Sequence, residues 1–128
     1  MKVKSDPRAR SSALTKQLRG LRQRLSGDPE RPITQERLAR LLDVSWSTIA
    51  RWESGGGRPD RHLSEKIERV SEVLGILGDM ILREDRLVFF EQEHPLLMGL
   101  RPIDLLDNER GARKVVELLE GAESGSFA

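Results

Sequence analysis

The sequence predicts an all-α chain, with a four-to-five-helix domain over 12–75 and a small helical domain over 76–128. Three observations predict it. Apolar residues recur every three or four positions in separate segments, as in Leu14, Leu18, Leu21 and Leu25 or Leu63, Ile67, Val70 and Leu74. Capping residues (Thr34, Ser45, Asp60) stand immediately ahead of such segments. The one stretch with strand-like composition, Leu87-Val88-Phe89-Phe90, lies between charged flanks with no partner strand to join, so it too is expected to be helical.

Residues 1–11 hold Lys2, Lys4, Arg8 and Arg10 without apolar periodicity, which predicts a basic flexible arm that solubilises the chain or lies along a minor groove. A helix is expected over Ser12 to Leu25, with Arg19, Arg22 and Arg24 off its leucine seam. Gly20 costs that helix about 1 kcal/mol relative to Ala, which the buried leucines offset. Ser26-Gly27-Asp28-Pro29 ends it. Thr34 caps a second helix, Gln35 and Glu36 fill its first turn, and Leu38, Ala39, Leu41 and Leu42 form its inner side. Asp43-Val44-Ser45 breaks the period after about two turns, and Ser45 caps a third helix whose buried stripe is Ile49 and Trp52. Gly55-Gly56-Gly57 and Pro59 stop it; no Gly-Lys-Ser/Thr follows, so the glycines make a turn and not a phosphate loop. Asp60 caps a fourth helix ending near Gly75.

Gly75 and Gly78 then loosen the connection, and Asp79 is expected to cap a helix running to about Gln92. His94-Pro95 breaks it, Leu96 to Arg101 forms an apolar loop, and Pro102 starts a short helix to Leu106. Asp107 or Asn108 caps the last helix, whose inner face is Val115, Leu118, Leu119 and Ala122. Phe127, one residue from the carboxylate on a Gly/Ser tail, either tucks onto its own core or reaches a partner.

Composition sets limits. The 128 residues make one domain or two small ones. With no Cys and no Tyr, disulfides, thiolate zinc sites, thiol nucleophiles and phenolic acid–base chemistry are excluded. No apolar run approaches the ~20 residues of a membrane span and the start lacks a signal-peptide core, so the chain is expected in the cytoplasm. The net charge of +1 hides an asymmetry: residues 1–60 carry 13 Lys/Arg against 7 Asp/Glu, residues 61–128 carry 9 against 14. A basic front half suits a polyanion, because each neutralised phosphate releases counterions. An acidic back half suits another partner or only solubility.

Two short helices joined by a tight turn can lay the second helix into a DNA major groove. Its outward residues would be Trp46, Ser47, Thr48 and Arg51: small hydroxyls allow close approach, and an Arg can fork onto a guanine edge or stay a solvated charge. The pattern from Thr34 to Gly55, Thr-Gln-Glu-x-Leu-Ala-x-Leu-Leu-x-Val-Ser-x-Ser-Thr-Ile-x-Arg-Trp-Glu-x-Gly, resembles the phage-repressor-type (Cro/Xre) helix-turn-helix family. The resemblance implies that Gln35 anchors a phosphate and that Trp46, Ser47, Thr48 and Arg51 face bases. Ser45 at the helix start is counted with them, and the bare N–H groups of the glycine turn with Arg58 are placed to touch DNA backbone. Trp46 departs from the family, where a polar residue is usual; it either packs partly on the core or stacks on a sugar or a thymine methyl. Trp52 is expected in the core. A homodimer would set two such helices about 34 Å apart on a near-palindromic double-stranded operator.

In the second half, His94-Pro95-x-Leu97-x-Gly99-x-x-Pro102-Ile103-Asp104-Leu105-Leu106-x-Asn108-Glu109-x-Gly111, then Val115-x-x-Leu118-Leu119 and Glu123-x-Gly125-x-Phe127-Ala128, is similar to the toxin-binding domain of the Xre/MbcA/ParS antitoxins. Phe89 stands where a tryptophan is common, and Met98 where a second glycine is common. The resemblance implies a partner toxin of the RES fold, which depletes NAD, blocked at its active site by Gly125, Ser126, Phe127 and Ala128. Gly99, Pro102 and Gly111 would shape the domain that presents this segment. An aromatic anchor beside a terminal carboxylate suits a narrow pocket.

An enzyme is not expected. His62 and His94 are the only histidines and neither has a catalytic setting; Asp104 and Asp107 flank a helix junction as caps, and the spacing offers neither a metal site nor a cofactor motif. Two binding readings remain: an antitoxin that holds operator DNA in front and a toxin behind, or a stand-alone Xre-family regulator whose back half dimerises or senses a signal.

Overall fold

The computed structural model describes residues 7–78 and 80–123. The described residues form seven α-helices and two 3-10 turns, with no strand: α1 (Pro7–Arg24), α2 (Gln35–Leu42), α3 (Trp46–Glu53), α4 (Arg61–Leu77), α5 (Arg86–Glu91), α6 (Pro102–Leu105) and α7 (Glu109–Glu123). The turns are Arg83–Asp85 and Pro95–Leu97.

The local start signals act as their chemistry requires. Thr34 Oγ1 accepts from Arg37 N (3.1 Å), Ser45 Oγ from Thr48 N (3.2 Å) and Asp60 Oδ1 from Leu63 N (2.9 Å). Each satisfies an N–H that the helix itself leaves without a partner. Asp43 takes a left-handed conformation (φ 58°) at the end of α2, which turns the chain sharply into α3. The leucine seam of α1, the inner faces of α2 and α3, and Ile67, Val70, Val73, Leu74 and Leu77 of α4 share one core with Leu87, Phe90, Leu97, Ile103, Leu106, Val115 and Leu119. Phe89 and Phe90 meet edge to face, ring centroids 5.6 Å apart.

Four expectations need correction. The first helix begins at Pro7, so residues 7–11 of the expected flexible arm are helical; Pro at the first helical position has its φ already set and lacks an N–H that would have no partner there. The fourth helix runs two residues past Gly75 to Leu77, whose side chain is fully buried. No continuous helix spans 79–92. After Gly78 the chain turns, with Met80 N donating to Leu77 O (2.8 Å), and α5 starts only at Arg86. Arginines impose this break: Arg86 donates to Arg24 O and Gly78 O (both 3.2 Å), and Arg83 to Gln23 O (2.6 Å). Asp79, the expected cap, lies outside the described residues. Finally, Asp104 and Asp107 are ion-pair partners, not caps: Asp104 takes Arg101 and Asp107 takes Lys66, while Asn108 Oδ1 caps α7 by accepting from Gly111 N (2.7 Å).

Candidate functional site

The front surface is the outer side of α3. Leu38, Ala39, Leu41 and Leu42 of α2 and Ile49 and Trp52 of α3 are buried in the core shared with α1, which leaves Trp46, Ser47 and Arg51 pointing out, with Thr48 half-buried. Trp46 is 54% exposed and Trp52 4%, so the two indoles of one helix have opposite fates. Ser45 Oγ, besides capping α3, lies 2.7 Å from Thr48 Oγ1 and 3.1 Å from Ser47 Oγ. Arg51 runs along the glycine turn: Gly56 N donates to Arg51 O (2.8 Å), and a Cβ on Gly56 would sit 2.8 Å from Arg51 Cγ. The turn is therefore glycine at Gly56 because an arginine stem occupies the space. Arg58 is exposed just beyond it.

Beneath this surface lies a group that the sequence reading passed over. Glu53, the last residue of α3, is 5% exposed. Its carboxylate accepts from Arg22 Nε and NH2 (2.9 Å each) and from Gln35 Nε2 (3.1 Å), while its backbone carbonyl accepts from Thr15 Oγ1 (2.9 Å). Arg22 also donates to Ile33 O (3.0 Å). One carboxylate thus ties α1, the start of α2 and the end of α3 together. Gln35, expected at a phosphate, is oriented by this carboxylate at the amino end of α2, half-buried. Its placement could not be read from spacing, because its partner is 18 residues away.

The back surface is built by the Pro95–Leu97 turn, α6 and α7. His94 N donates to Leu100 O (3.1 Å) and Gly99 N to His94 O (3.0 Å), closing a small loop. His94 Nδ1 accepts from Leu96 N (3.2 Å), so its ring is a loop fastener. Met98 and Gly99 both have positive φ (61° and 79°), and this turns Leu96, Met98 and Leu100 outward; Met98 is 85% exposed. These three residues, with Leu105, Leu118 and Gly121, line an apolar groove of about 430 Å³, rimmed by Lys114 and Glu117. Pro102 and Gly111 are buried. A Cβ at Gly111 would lie 1.9 Å from Leu105 O, so only glycine lets α7 cross the end of α6. Gly111 packs against Leu105, a residue of the groove, while Gly99 is exposed. Gly125, Ser126, Phe127 and Ala128 lie outside the described residues.

The two surfaces are joined by charge. Lys66 of α4, 7% exposed, donates Nζ to Asp107 Oδ1 (2.5 Å), Arg69 donates to Leu106 O (3.3 Å), and Arg37 of α2 pairs with Glu91 of α5 (3.0 Å). Arg101 holds Asp104 in a two-pronged pair (2.9 and 2.7 Å), and that hydrogen bonding keeps the Asp104 carboxyl below the ordinary carboxylate range. His62 is exposed on α4. Among the described residues no three His, Cys, Asp or Glu side chains converge as a metal site, and no helix is long and apolar enough to cross a membrane.

Comparison with known proteins agrees with this division. A helix-turn-helix family model matches residues 30–75, and the antitoxin Xre/MbcA/ParS C-terminal toxin-binding domain matches 76–125. The mycobacterial cidal antitoxin MbcA of Mycobacterium tuberculosis is 28% identical over 105 residues, which cover 80% of this chain and 91% of that protein; MbcA of Mycobacterium bovis matches to the same extent. The fold is also that of a chain in the crystal structure of the M. tuberculosis MbcT–MbcA toxin–antitoxin complex, with a TM-score of 0.67 and 23% identity over 90% of this chain and 97% of that one. The chain thus carries, in this order, a segment that matches the helix-turn-helix model and a segment that matches the Xre/MbcA/ParS antitoxin toxin-binding domain.

Proposed function

We propose that this chain is an antitoxin that neutralises a RES-type toxin through its C-terminal segment and represses its own operon by binding operator DNA as a homodimer. The observation that carries the reading is the match of 76–125 to the antitoxin toxin-binding domain, together with an exposed apolar groove on that same half. Two chemically different surfaces support two partners. The front one has an exposed Arg51 and Arg58 around a helix with a capped, hydroxyl-bearing start, which suits a phosphate-flanked groove. The back one has Leu96, Met98 and Leu100 in water, an arrangement that marks a protein contact better than a nucleic-acid one.

In this reading Gln35, Ser45, Arg58 and the glycine turn hold backbone phosphates, and Trp46, Ser47, Thr48 and Arg51 meet base edges. The Gly99–Pro102 loop and Gly111 set the platform from which Gly125, Ser126, Phe127 and Ala128 enter and occlude the toxin's active-site cleft. The test is co-expression with the product of the neighbouring toxin-sized reading frame. The full chain is expected to protect growth and to co-purify with that product. Removal of 125–128 is expected to abolish protection while leaving duplex binding intact. Protection that survived the truncation would overturn occlusion by the tail.

A further inference from the structure

We infer that Trp46 reads thymine 5-methyl groups, so that the first turn of α3 selects DNA sequence by apolar contact. The inference rests on the proposed role of α3 as the helix that enters the major groove, and adds the chemistry by which its first turn chooses a base. Trp46 is the largest group at that turn and leaves 54% of its surface in water, although Trp52 on the same helix is 4% exposed. The polar groups around it are turned on one another. Ser45 Oγ accepts from Thr48 N and sits within hydrogen-bond distance of both Thr48 Oγ1 (2.7 Å) and Ser47 Oγ (3.1 Å). These contacts saturate Ser45 Oγ, while Ser47 and Thr48 between them keep one proton and three lone pairs for base edges.

At the far end of the helix Arg51 lies along Gly56, so the forked donor and the indole sit at opposite ends of the reading surface. Beside these small hydroxyls the first turn carries one large, flat apolar ring. In the major groove only thymine offers an apolar feature, its 5-methyl group; the other bases present donors and acceptors alone. An indole laid on that methyl recovers apolar burial that it lacks in the free protein.

The test uses the full chain and duplexes selected from a random 20-base-pair library. Wild type is expected to enrich thymine at one position mirrored in the two half-sites. Replacing those thymines by deoxyuridine removes only the methyl groups. Burial of one methyl corresponds to about 0.8 kcal/mol, or about fourfold in affinity, so wild type is expected to lose about fourfold per half-site. Trp46→Ala and Trp46→Gln, checked for folding by circular dichroism, are expected to bind the thymine and uracil duplexes equally and to keep the base preference imposed by Arg51. Equal wild-type affinity for the two duplexes would overturn the inference. So would variants that keep the wild-type ratio, including the case in which they lose only association with a second copy or with the toxin. A wild-type chain that selects no sequence at all would instead overturn the DNA reading of α3 itself, a result distinct from bound duplex with the methyl ignored.

Discussion

Arg22 grips Glu53 with two parallel hydrogen bonds of 2.9 Å inside the front domain, where the glutamate side chain is nearly out of contact with water. The pair joins the last turn of α1 to the last residue of α3, and so fixes the angle at which the outer side of α3 is presented. Breaking it by Glu53→Ala leaves Arg22, itself mostly buried, without its counter-charge. The expected loss is about 3 kcal/mol in urea unfolding. The double variant Arg22→Met, Glu53→Leu is expected to recover most of it, because apolar residues of similar volume avoid the cost of desolvating two charges. A single-variant loss under about 1 kcal/mol would show that the pair is screened like a surface ion pair.

Gly111 supplies a second stability prediction. Its missing Cβ would occupy the Leu105 carbonyl, at 1.9 Å, with the Leu105 backbone carbon at 2.8 Å. These are backbone atoms and cannot rotate away, so Gly111→Ala must push α7 off α6. The expected cost is about 2 kcal/mol or more in thermal or urea unfolding, at the upper part of the range for overpacking. Gly20→Ala and Gly75→Ala meet nothing within 4 Å and are helical, so they are expected to stabilise by about 0.5–1 kcal/mol. Equal effects at the three sites would refute the packing role given to Gly111.

These three glycines illustrate what the sequence makes legible. Caps and stripes depend on neighbours three or four residues away, and Thr34, Ser45, Asp60 and the seam from Leu18 to Leu25 were readable for that reason. Gly111 looks like any other glycine until Leu105 is placed against it. Glu53 looks like a solvated helix charge, because its partners Arg22 and Thr15 are 31 and 38 residues away. The helix expected over 79–92 failed in the same way: Arg83 and Arg86 bind carbonyls of residues 23 and 24, about sixty positions earlier, and no local propensity reports such a competition. The helix Trp46–Glu53 and the motif around Gly99 are legible as sequence patterns, whereas the apolar groove exists only once Met98 and Gly99 take positive φ and turn their neighbours outward.

The Arg101–Asp104 pair gives a pH dependence with a definite sign. The folded Asp104 carboxyl lies below its ordinary value, first because of its hydrogen bonds from Arg101 and then through the charges of Arg101 and Lys66, against the effect of burial. A carboxylate depressed in the folded state adds stability that is fully present above the unfolded-state value of about 3.9 and fades as pH falls through the folded-state value. The pair is largely exposed, so the contribution is small. NMR titration is expected to place Asp104 below ordinary aspartates, and Arg101→Gln is expected to return it upward. An unchanged titration in the variant would remove Arg101 as the cause.

Arg51 and Gly56 give the sharpest test of the front surface. The arginine stem lies over Gly56, where an added Cβ would come within 2.8 Å of Cγ and 3.3 Å of the Arg51 carbonyl oxygen. Gly56→Ala therefore shifts the guanidinium without removing it, whereas Arg51→Ala removes it. If the fork reads a guanine edge, Arg51→Ala costs about 1–3 kcal/mol on the preferred duplex and flattens discrimination at one base pair per half-site. Gly56→Ala is then expected to reduce discrimination at the same base pair while leaving binding to random duplex unchanged, since charge is conserved and phosphate attraction is sequence-blind. Gel shifts on a panel of single-base variants decide it: a uniform loss for every sequence in Arg51→Ala would make Arg51 a phosphate contact, and discrimination untouched in Gly56→Ala would mean that the glycine serves the turn alone.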